Sequence, residues 1–195
     1  MVIFRGFLFV GILTLCSFRQ GCLQMDLMLI GDFSASVHGN EQFISDAFKS
    51  FAQKLTVSED GVRIGVIAFN NEAFLISPLN SDPQDLNSRI VSLRSFDATG
   101  TTNLNSALYM ATESLTKSRD IRKMIIIVSD GDVDSNGQVY AIASQLKAIG
   151  IGICTVLIKN ASSKEEFMKA ISSDCYVESD YETLGEELQK LSICL

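Results

Sequence analysis

The sequence predicts a doubly wound α/β domain, with a mostly parallel central sheet, one antiparallel edge strand and helices on both faces. Three observations lead there. Four short runs, Leu27–Gly31, Val62–Phe69, Met124–Val128 and Cys154–Ile158, are rich in Ile and Val and almost continuously apolar, the mark of strands covered on both faces. Between them apolar residues return every third or fourth position, the period of a helix with one buried side. No repeat, low-complexity tract or linker divides the remainder, so one domain is expected over residues 22–195.

Residues 1–21 stand apart from that domain. Arg5 precedes an apolar run from Gly6 to Cys16, and polar Ser17, Arg19 and Gln20 follow, which is the layout of a secretory signal peptide. The run is shorter than the roughly 20 residues that a spanning helix needs. The first strand, Leu27–Gly31, leads to a helix with the stripe Phe43, Ile44, Ala47, Phe48, Phe51, Ala52 and Leu55, and Asn40 stands where a cap belongs. After the second strand, Val62–Phe69, the Asn70-Asn71 turn brings the chain back along Ala73–Ser77 as the antiparallel edge strand. Leu104, Ala107, Leu108, Ala111 and Leu115 mark the next helix, Met124–Val128 and Cys154–Ile158 the remaining strands, and Leu184, Leu188 and Leu191 a last helix over Glu182–Ser192.

Sixteen basic residues against 23 acidic ones give a net charge of −7, and loss of Arg5 and Arg19 with residues 1–21 would take it to −9. Without a basic excess or a Lys/Arg run the chain has little with which to displace counterions from phosphates, so no nucleic-acid partner is expected. No other run reaches spanning length, and a secreted, extracellular protein without a membrane span is expected. Four cysteines follow the leader. Cys154, inside the apolar run Ile151–Ile158, is expected as a buried free thiol, while Cys22 and Cys194 bracket the domain and Cys175 competes with either for a partner. Asn160-Ala161-Ser162 is a glycosylation sequon.

In a doubly wound sheet ligands collect outside the carboxyl ends of the strands, and three loops there carry oxygen donors. Leu27–Gly31 runs into Asp32-Phe33-Ser34-Ala35-Ser36, where alternate residues of an extended segment point the same way. Met124–Val128 ends in Ser129-Asp130-Gly131-Asp132, with a glycine for the tight turn. Between them, Asp97-Ala98-Thr99-Gly100-Thr101-Thr102-Asn103 precedes the Leu104 helix. Each loop alone is explained better by capping and turns, with Ser34, Ser36, Thr102 or Asn103 as caps. Together, two carboxylates and several hydroxyls with no Cys or His describe a site for a hard cation that keeps part of its water. Mg²⁺ suits it best, with Mn²⁺ or Ca²⁺ as substitutes, and zinc is disfavoured.

Asp26–Ser36, Thr99–Leu108 and Ile126–Gly131 resemble, in order, the three parts of the metal-ion-dependent adhesion site of von Willebrand factor type A (vWA) domains. Val62–Phe69 resembles the second strand of that family, and Cys22 with Cys194 the terminal disulfide of many extracellular members. The resemblance implies that Ser34 and Ser36 hold the metal through their hydroxyls, Thr101 directly or through water, and Asp32 and Asp130 largely through waters or hydrogen bonds. It further implies a non-enzymatic adhesion module whose partner, a protein or matrix ligand, offers an Asp or Glu carboxylate to the open position. The last helix would be the element coupled to metal coordination. Thr99 in place of a frequent Gly, and Leu104-Asn105 in place of a frequent Thr-Gly pair, depart from the family pattern without removing a ligand.

Two rival functions use the same residues. One is a structural extracellular-matrix vWA module with an unused metal site. The other is a haloacid-dehalogenase-type phosphatase, since an apolar strand ending in Asp130-Gly131-Asp132 resembles its first motif, with Lys159 or Lys164 as the needed lysine. That reading leaves Asp32, Ser34 and Ser36 unexplained. A serine nucleophile lacks a Gly-x-Ser-x-Gly elbow, and His38, the only histidine, is expected as a loop residue. Asp132 and Asp134 add negative charge near the mouth of the site.

Overall fold

The computed structural model describes residues 24–131, 133, 136–159, 164–173 and 175–191. Six strands form one sheet: β1 (Met25–Asp32), β2 (Val62–Phe69), β3 (Ala73–Asn80), β4 (Arg122–Ser129), β5 (Ile151–Ile158) and β6 (Cys175–Ser179). Their order is β3-β2-β1-β4-β5-β6. Only β2 and β3 pair antiparallel, as the Asn70-Asn71 turn predicts, and the other pairings are parallel. From β1 the chain builds outward through β2 and β3, then crosses to the other side of β1 to build β4, β5 and β6. The crevice above β1 and β4 is therefore the switch point at which such sheets bind ligands.

Among the described residues six α-helices cover the faces: α1 (Glu41–Ala52), α2 (Pro83–Ser92), α3 (Leu104–Thr116), α4 (Asn136–Ala148), α5 (Glu165–Ile171) and α6 (Leu184–Leu191). Alternation along β1 divides the core in two. Leu27 and Leu29 join Phe48 and Phe51 of α1, Leu86 and Ile90 of α2 and Leu184 and Leu188 of α6; Met28 and Ile30 face Leu104 and Leu108 of α3, Val139 and Leu146 of α4 and Met168 of α5. These side chains are almost wholly buried, each removing apolar surface worth about 1.5–3 kcal/mol. Asn40 occupies the N-cap of α1 but its side chain accepts no capping bond, whereas Asp82 caps α2 by accepting from the amides of Gln84 and Asp85.

Cys154 is buried, as the apolar run predicts, but it is not a free thiol. It forms a disulfide with Cys175. Parallel pairing of β5 with β6 makes the two cysteines register partners, with Cα atoms 4.8 Å apart, inside the range a disulfide spans. The β6 segment carries little apolar periodicity, so nothing local announced its place beside β5. Cys22, Cys194, the Asn160 sequon and residues 1–21 lie outside the described residues.

At the amino edge of the sheet Asp26 is fully buried and holds two guanidinium groups. Arg63 donates to it from Nε (2.9 Å) and Nη2 (2.7 Å), and Arg119 from Nη2 (2.7 Å). Burial alone would raise this carboxyl, but the hydrogen bonds from Arg63 and Arg119 outweigh it and bring its pKa down to about 2.

Candidate functional site

β1 and β4 end side by side, so the residues just past their ends share one edge. Asp32 closes β1 and is fully buried. Its Oδ1 accepts from the Ser34 amide at 2.9 Å and its Oδ2 from the Ser129 hydroxyl at 2.6 Å, while Ser129 Oγ in turn accepts from Gly131 N at 3.0 Å. Both oxygens of Asp32 are thus tied, one to its own loop and one to β4. Phe33 between them packs inward, its amide donating to Phe69 O at 2.7 Å and its ring lying 5.0 Å from that of Phe96. A short 3₁₀ turn, Ala35–Val37, follows with Ser34 at its N-cap, but the Ser34 side chain makes no capping bond. Its hydroxyl lies instead 3.1 Å from the Ser36 hydroxyl. The capping explanation fails for Ser34 and holds for Asn103, which accepts from Ser106 N at 3.2 Å at the start of α3.

The Thr99–Thr102 loop is attached from two sides. Ala35 N donates to Gly100 O at 3.2 Å, which joins it to the first loop. The Asn70-Asn71 turn supplies the other side: Asn71 Oδ1 accepts from Thr101 N at 2.6 Å, Asn103 Nδ2 donates to Asn71 O at 3.0 Å, and Asn103 N to Asn70 O at 2.8 Å. Thr101 itself is exposed, and among the described residues its amide and not its hydroxyl is engaged, while Thr102 is buried. Asp130 is fully buried beyond β4, and Gly131 turns the chain there with φ +81°, the left-handed backbone that favours glycine. Asp132 and Asp134 lie outside the described residues.

Asp32 and Asp130 lie close enough for their charges to repel. Burial pushes the Asp32 carboxyl up to about 6; the bonds from Ser129 and Ser34 pull it down, and the charge of Asp130 raises it further. The hydrogen bonds made to Asp32 come from hydroxyls and an amide, none from a cation. Tyr181, just before α6, reaches the same charges: burial first, then Asp130, Asp32 and Glu41, hold its phenol well above its ordinary value. His38 is an exposed loop residue, with Nδ1 3.7 Å from Glu41 Oε1. Among the described residues no three His, Cys, Asp or Glu side chains converge as a metal cluster, and the donors those residues bring to this edge are the carboxylates of Asp32 and Asp130 and the hydroxyls of Ser34 and Ser36. Of the two lysines that a phosphatase reading would draw on, Lys159 is paired with Glu178 and Lys164 stands at the N-cap of α5.

Sequence reasoning overlooked three contributors. Ser129 was visible only as the end of a strand, Asn71 only as half of a turn, and Tyr181 gave no local signal. Each acts through a neighbour far along the chain.

A family model of the von Willebrand factor type A domain matches residues 26–190. Among solved structures, the chain is similar to the manganese-loaded TRAP protein of Plasmodium vivax, with a TM-score of 0.74 and 19% identity over 86% of this chain and 72% of that one. It is similar also to proximal thread matrix protein 1 of the mussel byssus with a zinc-occupied MIDAS motif, with a TM-score of 0.77 and 18% identity over 87% of this chain and 45% of that one. A third likeness is to the vWF domain of the type V pili tip protein Mfa5 of Porphyromonas gingivalis, with a TM-score of 0.73 and 13% identity over 89% of this chain and 95% of that one. At such identities the likeness is one of fold. This chain spans less than half of the mussel protein. Among the described residues no helix is long and apolar enough to cross a membrane.

Proposed function

The chain belongs to the von Willebrand factor type A family, and on that premise we propose that it is an extracellular protein-binding module that recognises a carboxylate of its partner through a divalent cation. The observation that carries the reading is the buried pair Asp32 and Asp130 beside two serine hydroxyls 3.1 Å apart, with no cationic donor on Asp32. Mg²⁺ fits that donor set best, and Mn²⁺ or Ca²⁺ fits it next.

In this reading Ser34, Ser36 and Thr101 contribute neutral oxygens, and Asp32 and Asp130 contribute charge from behind. Ser129 and the Ser34 amide occupy both oxygens of Asp32, so that carboxylate is oriented and partly neutralised before any cation arrives. A bound divalent cation supplies a Lewis-acidic position that an outside carboxylate can fill. The Asn70-Asn71 turn holds the loop of Thr101 at the distance its backbone bonds dictate. The Cys154–Cys175 disulfide supports placement in an oxidising compartment. The neighbours named above, among them a byssal thread matrix protein and a pilus tip protein, support a role in adhesion or matrix assembly.

Calorimetric titration with Mg²⁺ and Mn²⁺ tests the proposal. Binding is expected in the parent and at least about tenfold weaker in Ser34→Ala and Asp130→Ala, with circular dichroism unchanged. Absence of heat with either ion, or equal affinity in both variants, overturns it. Partner capture that persists in chelator would favour the purely structural module.

A further inference from the structure

At the opposite edge of the domain from Asp32, the end of α1 and the start of α2 enclose a cavity of about 440 Å³. Ala52, Val57, Pro83, Leu86 and Ile90 form its apolar floor. Two half-buried polar side chains on its wall have a group without a partner among the described residues. Lys49 is half-buried and, among the described residues, pairs with no carboxylate, although nearby Asp46 and Asp85 are engaged by Arg94 and Arg89. Asn87 is half-buried as well, and its Oδ1 is covered and accepts no hydrogen bond. No acidic residue lines the cavity, in a chain with 23 of them.

An orphaned carbonyl oxygen in a covered position is costly, and χ2 is soft in asparagine, so an N–H donor brought to it by a ligand would relieve that cost. A ligand that uses all three features needs an apolar body, an anionic group and one N–H donor close together. A fatty acid lacks the donor, and so does an alkyl phosphate ester. The last residue of a polypeptide has each: a side chain, an α-carboxylate and its own amide N–H. We propose that this cavity receives the C-terminal residue of a partner polypeptide bearing a large aliphatic side chain, with the carboxylate at Lys49 and the amide N–H at Asn87 Oδ1. The site is separate from the edge that carries Asp32, and it does not depend on a cation there.

The test is calorimetric titration of the whole domain with the tripeptide acetyl-Gly-Gly-Leu, its C-terminal amide and N-acetyl-leucine, in chelator and in Mg²⁺. The free-acid tripeptide is expected to bind one to one, equally with and without chelator. The amide form, and the free acid on Lys49→Gln, are each expected to bind about tenfold or more weakly, since each removes the same charge-assisted bond. Amide and Lys49→Gln combined are expected to be no worse than either alone, a coupling that general loosening of α1 would not produce. Ser88→Trp, at the exposed rim, is expected to block the cavity, and unchanged melting temperatures of both variants show that they fold. Equal binding of acid and amide, no loss on Lys49→Gln, loss in chelator, or failure of N-acetyl-leucine, which carries the same side chain, carboxylate and amide N–H, to bind at all would each overturn the assignment.

Discussion

Gly100→Ala separates two reasons for a glycine in the loop that carries Thr101. Gly100 has φ +77°, a backbone that a residue with a Cβ adopts at a cost of about 1–2 kcal/mol. An added Cβ there would also stand 2.0 Å from Asn71 Oδ1, the acceptor of the Thr101 amide at 2.6 Å. Asn71 would have to swing out, forfeiting a hydrogen bond worth about 1 kcal/mol and releasing Thr101. Gly150 supplies the control: its φ is +81°, but nothing lies within 4 Å of an added Cβ. Gly150→Ala is expected to lose about 1–2 kcal/mol and Gly100→Ala about 2–3 kcal/mol. The extra 1 kcal/mol corresponds to about 2–4 °C in melting temperature for a domain of this size. Urea unfolding in chelator reads the difference, and Mn²⁺ titration reads its consequence for the site. Gly100→Ala alone is expected to weaken Mn²⁺ about tenfold, because only there is the Thr101 loop released. Equal stability losses in the two variants, or unchanged Mn²⁺ affinity in Gly100→Ala, would refute the reasoning.

Two further predictions follow from buried charge. Burial holds the Asp32 carboxyl at about 6, above the 3.8 of an exposed aspartate, so metal-free stability declines as pH rises from about 4 to 6, and Asp32→Asn is expected to raise it by about 1–3 kcal/mol at pH 7 while abolishing Mn²⁺ binding. Thermal melts in chelator check this, and a variant less stable than the parent would contradict it. Asp26 has the opposite sign: despite its burial, Arg63 and Arg119 hold its pKa near 2, so its contribution is present above about pH 4 and is lost as pH falls toward 2. That contribution is about 1–2 kcal/mol after allowance for solvent around the partly exposed guanidinium groups; Asp26→Asn, which also strands two arginines, is expected to lose about 3 kcal/mol at pH 7 and to flatten acid unfolding between pH 4 and 2, and an acid limb as steep as the parent's would argue against it.

Much of the architecture was legible because it is periodic. Val62–Phe69 coincides with β2, the other three apolar runs lie within β1, β4 and β5, and the stripe from Leu104 to Leu115 is the buried side of α3. Ala73–Ser77 was readable as an edge strand because the Asn70-Asn71 turn leaves it nowhere else to go. Of the segments that escaped notice, α2 buries Leu86 and Ile90 alone in its ten residues and β6 is five residues long with mixed burial, whereas α4 repeats Val139, Ile142, Ala143 and Leu146 at helical spacing and was legible but not read. The last helix runs over Leu184–Leu191, the span of its apolar stripe and within the expected Glu182–Ser192, of which Ser192 lies outside the described residues.

By itself the sequence determined which residue types stand at strand ends, and in which order. Donors a few positions apart, such as Asp32, Ser34 and Ser36, form a unit whatever the rest of the chain does, because an extended backbone projects alternate side chains together. Tertiary structure alone decided what lies behind them. Ser129 became the partner of Asp32 because β4 docks beside β1, Asn71 became the anchor of Thr101 across thirty residues, and Cys154 found Cys175 because β6 closes the sheet next to β5. Hydrogen bonds and disulfides depend on distances of a few ångströms, and for residues remote in sequence those distances are set only when strands and helices pack.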